Sequence, residues 1–265
     1  MAGGLITLTT DFGAADHFVG AMKGVILGIA PAARIVDITH EIAPYNLGEA
    51  AFVIAQAWSY FPKKTIHVVI VDPGVGTSRR PILCEAGGQY FIAPDNGVLS
   101  MIYPAAPHRV RSIDNPKLML RNISRTFHGR DVFAPAAAHL SRGIPLVQFG
   151  KRIHDFVSGL GGPPGELSKH VWGGTILKVD RFGNLITNFH IDHFKGIKTR
   201  PFELRVGSQK IHRLALAYAD TAIGELFAIV GSSGYLEIAA NQASAMQTVG
   251  CSSGSPVELE IFYDT

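Results

Sequence analysis

The stretch V-V-I-V-D-P-G-V-G-T-S-R-R, residues Val68–Arg80, decides how the rest of the chain is arranged. It begins with an apolar, β-branched run, which is typical of a strand buried on both faces. Pro73 ends that strand, and Gly74 and Gly76 permit a tight turn after it. Asp72 is therefore expected at the carboxyl end of a buried strand, where open α/β sheets place their ligand sites.

Arg79 follows Asp72 closely enough to fold back across the turn and keep the carboxylate ionised. A structural aspartate that caps a tight turn is the alternative interpretation, and this stretch alone leaves both open. The glycine turn lacks the Gly-Lys-Ser/Thr ending of a phosphate loop and the complete G-x-G-x-x-G pattern of a dinucleotide site. Nucleoside-triphosphate chemistry is therefore not expected.

The composition is that of a folded protein with a sizeable core, since 47% of the 265 residues are hydrophobic and only 17% are charged. A net charge of +3 without a basic run gives no reason to expect a nucleic-acid partner. Cys84 and Cys251 lack metal-ligand spacing and are expected as reduced thiols. Because no apolar run is long enough to span a bilayer and no signal-like start is present, we expect a cytoplasmic protein.

Residues 1–160 alternate predicted strands with predicted helices, which favours a three-layer α/β domain with a mostly parallel sheet. A hairpin is predicted where Gly87 and Gly88 separate two strands. The predicted strands are Leu5–Thr9, Arg34–Ile38, Val68–Val71, Ile82–Glu85, Tyr90–Ala93 and Arg109–Ser112, and the predicted helices are Phe18–Ile29, Ala50–Tyr60 and a segment that ends at Leu140.

A glycine- and proline-rich stretch, Gly159–Gly165, ends this pattern and predicts a linker. Residues 170–265 then contain short apolar runs separated by turn residues, which predict a smaller antiparallel domain resembling a β-barrel. Its predicted strands are Thr175–Val179, Phe202–Val206, Leu226–Val230, Tyr235–Ile238 and Val257–Phe262.

Two further polar residues of the first domain are candidates for a site. Asp11 closes the first predicted strand, so on parallel strands it would share a sheet edge with Asp72, where a carboxylate suits a ribose diol. His128 precedes Gly129 on a predicted accessible turn, and histidine is the commonest general base near neutral pH. A turn or cap role for Asp11 and a structural role for His128 are the alternatives.

The second domain has two turns that carry polar groups. D-R-F-G-N, residues Asp180–Asn184, holds a carboxylate, an aromatic ring and an amide, a set that suits an amino-acid head group beside a ring. G-S-S-G-Y, residues Gly231–Tyr235, is the other turn, and plain hairpin turns are the alternative for both. The histidines show no H-E-x-x-H or Cys/His pattern, so no metal site is expected.

Six motifs, in this order, resemble those of the S-adenosylmethionine hydrolases, or hydroxide adenosyltransferases, which are related to the bacterial fluorinase and chlorinase. They are T-D-F-G (10–13), V-D-P-G-V-G-T-S-R-R (71–80), A-P-D-N-G (93–97), T-F-H-G-R-D-V-F-A-P (126–135), D-R-F-G-N (180–184) and G-S-S-G-Y-L-E-I-A (231–239). The resemblance implies hydrolysis of S-adenosylmethionine at C5′ to adenosine and L-methionine without a cofactor. It also implies a homotrimer with active sites between neighbouring subunits.

The resemblance also implies residue roles. The family's water-activating Asp-Arg-His triad matches Asp72, Arg79 and His128, with Arg79 favoured over Arg80 by the motif spacing. The residues implied to bind the substrate are Asp11 at the ribose, Tyr45 beside the substrate, Asp180 and Ser232 at the methionine, and Asn184 at the adenine.

Two other functions remain as alternatives. Halide-using relatives need a small hydroxyl donor and no anion at the halide position. This chain has Gly129 where they have a serine, Asp72 where they have a tyrosine, and Val75 where they have a threonine, so hydrolysis is favoured. The second alternative is a non-catalytic protein that binds S-adenosylmethionine or adenosine, and the intact triad argues against it.

Overall fold

The computed structural model describes residues 4–263; the ends of the two predicted domains, 1–3 and 264–265, lie outside the described residues. The described part of the chain forms two compact units, which divide between Leu160 and Gly161. Each unit has a sheet and a hydrophobic core of its own. Among residues 4–263, every helix is too short or too polar to span a bilayer.

The elements of the first unit are β1 (Leu5–Thr10), α1 (Phe18–Ile29), β2 (Arg34–Thr39), α2 (Leu47–Ala57), β3 (Ile66–Ile70), β4 (Pro81–Ala86), β5 (Gln89–Pro94), β6 (His108–Ser112), α3 (Ala134–Ser141) and β7 (Arg152–Ile153). Those of the second are β8 (Gly165–Ser168), β9 (Val171–Val179), β10 (Leu185–His190), β11 (Phe202–Val206), β12 (Gln209–Ile211), β13 (Leu214–Ala215), β14 (Leu226–Val230), β15 (Tyr235–Ala240), α4 (Ala245–Val249) and β16 (Pro256–Ile261). A π-helical segment, Gly129–Phe133, runs directly into α3.

Within the described residues, the first sheet has the strand order β2-β1-β3-β5-β4-β6-β7. The strands β2, β1, β3 and β5 pair in parallel, whereas β4, β6 and β7 are added antiparallel. The prediction of a mostly parallel sheet is therefore only partly confirmed. The predicted hairpin through Gly87 and Gly88 is confirmed, and it joins β4 to β5, because a two-residue turn connects antiparallel strands only.

The central strand β3 is buried along its whole length, and its side chains alternate between two cores. Val68 and Ile70 pack with Met22 of α1 on one face. Val69 packs with Ile54 of α2 on the other face. Helices therefore cover both faces of the parallel part of the sheet. A ligand can reach this part of the sheet only at the ends of its strands.

The helix bounds follow local capping and packing. Helix α1 has the predicted bounds, Phe18–Ile29. Helix α2 begins earlier than predicted, because the side chain of Asn46 accepts a hydrogen bond from the Glu49 backbone nitrogen at 3.0 Å and caps it. It also ends earlier, at Ala57, and Trp58–Tyr60 continue as a 3₁₀ turn.

In the second unit, the described residues form a sheet in the order β12-β11-β16-β9-β10-β15-β14-β13, with β8 beside β9. All pairs except β13–β14 are antiparallel, and the sheet curls into a half-barrel. Strand β10 was not predicted because Thr187 and Asn188 interrupt its apolar pattern. Both are buried and bonded, Thr187 to the Leu236 carbonyl at 2.7 Å and Asn188 to the Thr175 backbone nitrogen at 2.8 Å.

Candidate active site

Asp11 and Asp72 lie at one edge of the first sheet, because each comes shortly after one of two neighbouring parallel strands. Strand β1 ends at Thr10 and β3 at Ile70, and these two residues are partners in the strand register. Both aspartates line a cavity of about 320 Å³. The structure thus brings two carboxylates from distant parts of the sequence to one cavity.

Asp72 is held by Arg79 through both of its carboxylate oxygens. Arg79 Nε donates to Asp72 Oδ1 at 2.9 Å, and Arg79 Nη2 donates to Oδ2. The two side chains are only 6% and 9% exposed, so water screens the pair weakly. A buried two-point contact of this kind fixes the orientation of the carboxylate.

The neighbouring Arg80 points to different partners. Its Nε and Nη2 donate to Asp95 Oδ2 at 3.0 and 2.7 Å, and its Nη1 donates to Asp155. The geometry therefore separates the two arginines of the tandem, with Arg79 at the cavity carboxylate and Arg80 between the buried Asp95 and the exposed Asp155.

His128 reaches the Asp72–Arg79 pair from a different segment of the chain. The loop before it packs on the turn at Gly76, which has a φ of 78° and where a Cβ would lie 2.3 Å from the Arg125 carbonyl oxygen. Glycine is required there for both reasons. Arg79 Nη2 then lies 2.9 Å from His128 Nδ1. Burial and the charge of Arg79 hold the pKa of His128 below its usual value, against an opposing effect of Asp72.

Asp131 is a buried residue near the site that the sequence did not single out. Its carboxylate accepts from Arg130 Nε at 2.6 Å and from the Ser124 backbone nitrogen at 2.7 Å. It thereby ties the loop before His128 to the π-helical segment Gly129–Phe133. A sequence signal was available, because Arg130 directly precedes Asp131 and a fully buried carboxylate needs a cation beside it.

The cavity has an aromatic wall next to its polar groups. Phe12, Phe18 and Phe127 all line it, and their ring centroids lie 5.0–6.0 Å apart in tilted and edge-on contacts. Tyr45 lines it too, on a loop where its φ is 65°. The backbone nitrogen of Tyr45 donates to Asp11 Oδ2 at 2.9 Å, so that strained loop and the Asp11 carboxylate hold each other in place.

In the second unit, Asp180 and Asn184 share the turn between β9 and β10. Asp180 Oδ1 accepts from the backbone nitrogens of Phe182 and Asn184, and Asp180 Oδ2 accepts from Asn184 Nδ2, each at 2.9 Å. The ring of Phe182 is exposed. The turn thus presents an aromatic surface beside a carboxylate that its own backbone holds in place.

Ser232 lies in a different turn, between β14 and β15. That turn packs on Glu237, since a Cβ on Gly231 would lie 1.8 Å from a Glu237 carboxylate oxygen. Burial, with a further contribution from Asp180, raises the pKa of Glu237 above its usual value. Glu237 therefore lies against the turn of Ser232 and within the electrostatic influence of Asp180, and the sequence analysis did not single it out.

Comparison with known proteins identifies the family of this chain. The model of the N-terminal domain of SAM hydroxide adenosyltransferases matches residues 6–150, and the model of their C-terminal domain matches residues 174–258. The chain belongs to this family.

Similar proteins of known name agree with this family of hydroxide adenosyltransferases. A Salinispora tropica protein named (R)-S-adenosyl-L-methionine hydrolase is 37% identical, over 96% of this chain and 97% of its own length. A Thermus thermophilus protein of that name is 34% identical, over 94% and 97%. A Nocardia brasiliensis protein named fluorinase is a more distant relative, 28% identical over 97% of both chains.

A solved structure supports the fold of this hydroxide adenosyltransferase family member. The crystal structure of an uncharacterized conserved protein from Thermotoga maritima matches with a TM-score of 0.88 and 39% identity, covering 96% of this chain and 99% of that one. Among residues 4–263, no group of three or more His, Cys, Asp or Glu side chains is arranged to hold a metal ion.

Proposed function

We propose that this chain hydrolyses S-adenosylmethionine, with water displacing L-methionine from C5′ and releasing adenosine. The observation that carries the proposal is the buried Asp72–Arg79 pair with His128 against it, beside a cavity with an aromatic wall. Membership of the hydroxide adenosyltransferase family supports the same reaction.

The chemistry suits this set of residues. The sulfonium makes C5′ electrophilic, and breaking the C5′–S bond releases a neutral thioether. Positive charge disperses in the transition state, which favours a site that excludes water from the reactants. Water is a weak nucleophile, so the reaction needs groups that orient and deprotonate it. We assign these tasks to Asp72, Arg79 and His128 acting as one unit, the proposed catalytic triad.

Asp11 is the proposed ribose-binding residue. A carboxylate has about four lone-pair sites, and one bond to the Tyr45 backbone leaves room to accept both hydroxyls of a ribose diol. The ring of Tyr45 would pack beside the substrate. In the second unit, we assign Asp180 and Ser232 to the methionine part and Asn184 to the adenine part.

The names of the similar proteins specify the R configuration at sulfur. We therefore propose that this chain also accepts the R epimer of S-adenosyl-L-methionine as a substrate. A preference for one epimer would follow if the aromatic wall at Phe12, Phe18 and Phe127 and the carboxylate of Asp72 fix the orientation of the sulfonium substituents.

The residues around Gly129 argue against halide as the nucleophile. Gly129 lines the cavity, and a Cβ there would lie 3.1 Å from Phe127 Cε2 and 3.2 Å from Met22 Sδ. A hydroxyl-bearing side chain would therefore require its neighbours to shift. The Asp72 carboxylate at the same cavity would also repel a halide ion.

The proposal extends to assembly and location. The family resemblance implies a homotrimer in which neighbouring subunits share each active site, and we carry this forward with the N-terminal unit as the carrier of the triad and the C-terminal unit as a contributor to substrate binding. We also propose a cytoplasmic location, which fits the free thiols of Cys84 and Cys251.

An assay of products tests the proposed function. Incubated with each resolved epimer of S-adenosylmethionine, without added metal, the protein is expected to release adenosine and methionine in equal amounts, measured by chromatography. A chelator should leave the rate unchanged. Return of intact substrate would indicate a non-catalytic binding protein, and formation of methylthioadenosine would show a different cleavage; either result contradicts the proposal.

The same assay in excess chloride or fluoride tests the choice of nucleophile. We expect no 5′-halo-adenosine, because Asp72 and Gly129 stand where halide-binding groups would be needed. The matched variant Gly129→Ser should also form none, since the carboxylate remains. Halide incorporation by the wild-type protein, however slow, would overturn the argument from charge repulsion.

A further inference from the structure

The contact between Arg79 and His128 determines the protonation of the imidazole. Arg79 Nη2 lies 2.9 Å from His128 Nδ1. A guanidinium nitrogen has hydrogens to donate and no lone pair with which to accept. His128 Nδ1 is therefore the acceptor, and the neutral ring carries its hydrogen on Nε2.

Among the groups that face His128, Arg79 favours this neutral form and the others oppose it. Burial and the charge of Arg79 keep its pKa low, while Asp72, Asp131 and a hydrogen bond with the Ser124 backbone act in the opposite direction. A neutral Nε2–H ring can take up a proton only at Nδ1. That proton would point at the guanidinium, break the 2.9 Å hydrogen bond and place two cations in contact.

Asp72, in contrast, can accept a proton. Its two oxygens each accept one hydrogen bond from Arg79, and a carboxylate has about four lone-pair sites. Asp72 lines the cavity, as His128 does, whereas the guanidinium of Arg79 packs against the ring of Phe133, 5.2 Å from the centroid. A strong base is not needed, because water becomes strongly acidic as its oxygen bonds to carbon.

We infer that Asp72 takes the proton from the attacking water and that His128 is a positioning residue that holds Arg79, and through it Asp72, in place. In this step, which rests on the proposed function, the water oxygen bonds to C5′ and the C5′–S bond breaks with its electron pair going to sulfur. The proton moves to a carboxylate oxygen of Asp72. His128 neither gains nor loses a proton.

Two substitutions of His128 separate the roles. In His128→Asn, the amide oxygen occupies a position like that of Nδ1 and can accept from Arg79 without titrating. We expect it to be less than about tenfold slower than the wild-type protein, with the same pH profile. His128→Ala and Asp72→Asn should each lose at least about a hundredfold, as is typical when proton transfer or its positioning fails.

Nitrogen NMR of the ligand-free wild-type protein tests the tautomer without reference to activity. We expect the His128 Nε2–H tautomer, with no protonation at the pH where exposed histidines titrate. An Nδ1–H tautomer, or a His128→Asn variant as slow as His128→Ala, would overturn the inference. Failure of the wild-type protein itself to hydrolyse S-adenosylmethionine would instead refute the proposed function.

Discussion

Two turns of this molecule hold an aspartate in place, and they do so in different ways. After β3, Asp72 is bound by Arg79, which is itself bound to His128 from another segment. Between β9 and β10, Asp180 is bound by Phe182 and Asn184 of its own turn. The first carboxylate is bound by an arginine of its own turn that a histidine from a distant segment holds in place, whereas the second is bound entirely within its turn. We therefore expect substitutions in the first turn to affect chemistry and substitutions in the second to affect binding.

The largest expected effect is on turnover at the first turn. Asp72→Ala and His128→Ala should each reduce turnover by about 10²–10⁴-fold, because the first lacks the proton acceptor and the second lets Arg79 move. The double variant should be little worse than either single one, since residues that act as a unit fail together. Single-turnover kinetics would measure the rates.

Calorimetry on the same two variants provides the control. Near-normal affinity for S-adenosylmethionine is expected, because Asp11 and the second unit remain intact. Substantial turnover in both variants, or additive losses in the double variant, would show that water is activated elsewhere.

A second histidine of the first unit, His67, sharpens the comparison, since it has polar partners but is not among the residues that line the cavity of the candidate site. The ring of His67 is fully buried, with Thr7 Oγ1 at 2.7 Å from Nδ1 and Gln89 Oε1 at 2.6 Å from Nε2. Because Gln89 Oε1 only accepts, His67 carries its hydrogen on Nε2. Burial lowers its pKa from 6.5 to about 4, despite the opposing hydrogen bond with Gln89.

This shift predicts a loss of stability in acid. Between about pH 6.5 and 4 the unfolded chain binds a proton at His67 that the folded protein does not, so stability falls as the pH is lowered through that window. The full contribution is on the order of 3 kcal/mol and is present above pH 6.5. Urea titrations at several pH values would measure it. His67→Gln should be less stable at neutral pH but lose less on acidification; an unchanged slope would contradict this assignment.

Asp180 gives the intermediate effect. Asp180→Ala should weaken S-adenosylmethionine binding by about tenfold to a hundredfold, as expected for a lost hydrogen bond to a charged group. Asp180→Asn is the matched variant, because its amide oxygen can still accept from the backbone nitrogens of Phe182 and Asn184. If Asp180 binds the methionine ammonium, both variants should bind equally weakly in calorimetry. Restoration of affinity by asparagine would mean that only the shape of the turn matters.

The contrast between local and long-range contacts also explains what the sequence could predict. The bounds of α1, the hairpin of β4 and β5, and the Asp72–Arg79 pairing all follow from signals within a few residues. The direction of β6 and β7 could not be predicted, because alternation of apolar residues is the same in parallel and antiparallel strands.

Asp131 and Glu237 were missed in the sequence analysis for a related reason. Asp131 is bound by its neighbour Arg130 and by Ser124, and Glu237 lies against Gly231 and near Asp180. A buried carboxylate is recognised by the partners that folding brings to it, and a linear pattern shows only that the residue is charged.

The smallest effect is expected at the second arginine of the tandem, which is a matched control for the first. Arg79 binds the cavity carboxylate with two nitrogens, and lysine cannot reproduce that fork. Arg79→Lys should therefore lower turnover by at least about tenfold, within the range seen when a catalytic group is misplaced.

Arg80 lies away from the cavity, with Nε and Nη2 both donating to one oxygen of Asp95 and Nη1 donating to Asp155. Arg80→Lys keeps the charge beside the buried Asp95, so turnover should stay within about threefold of wild type, while the midpoint of thermal unfolding falls by about 2–4 °C for each kcal/mol lost. Steady-state kinetics and calorimetric melting on the two lysine variants would test this. Equal losses of turnover in both variants would show that the two arginines act on the site together. The contacts instead indicate that Arg79 serves the chemistry and Arg80 serves the stability of the first unit.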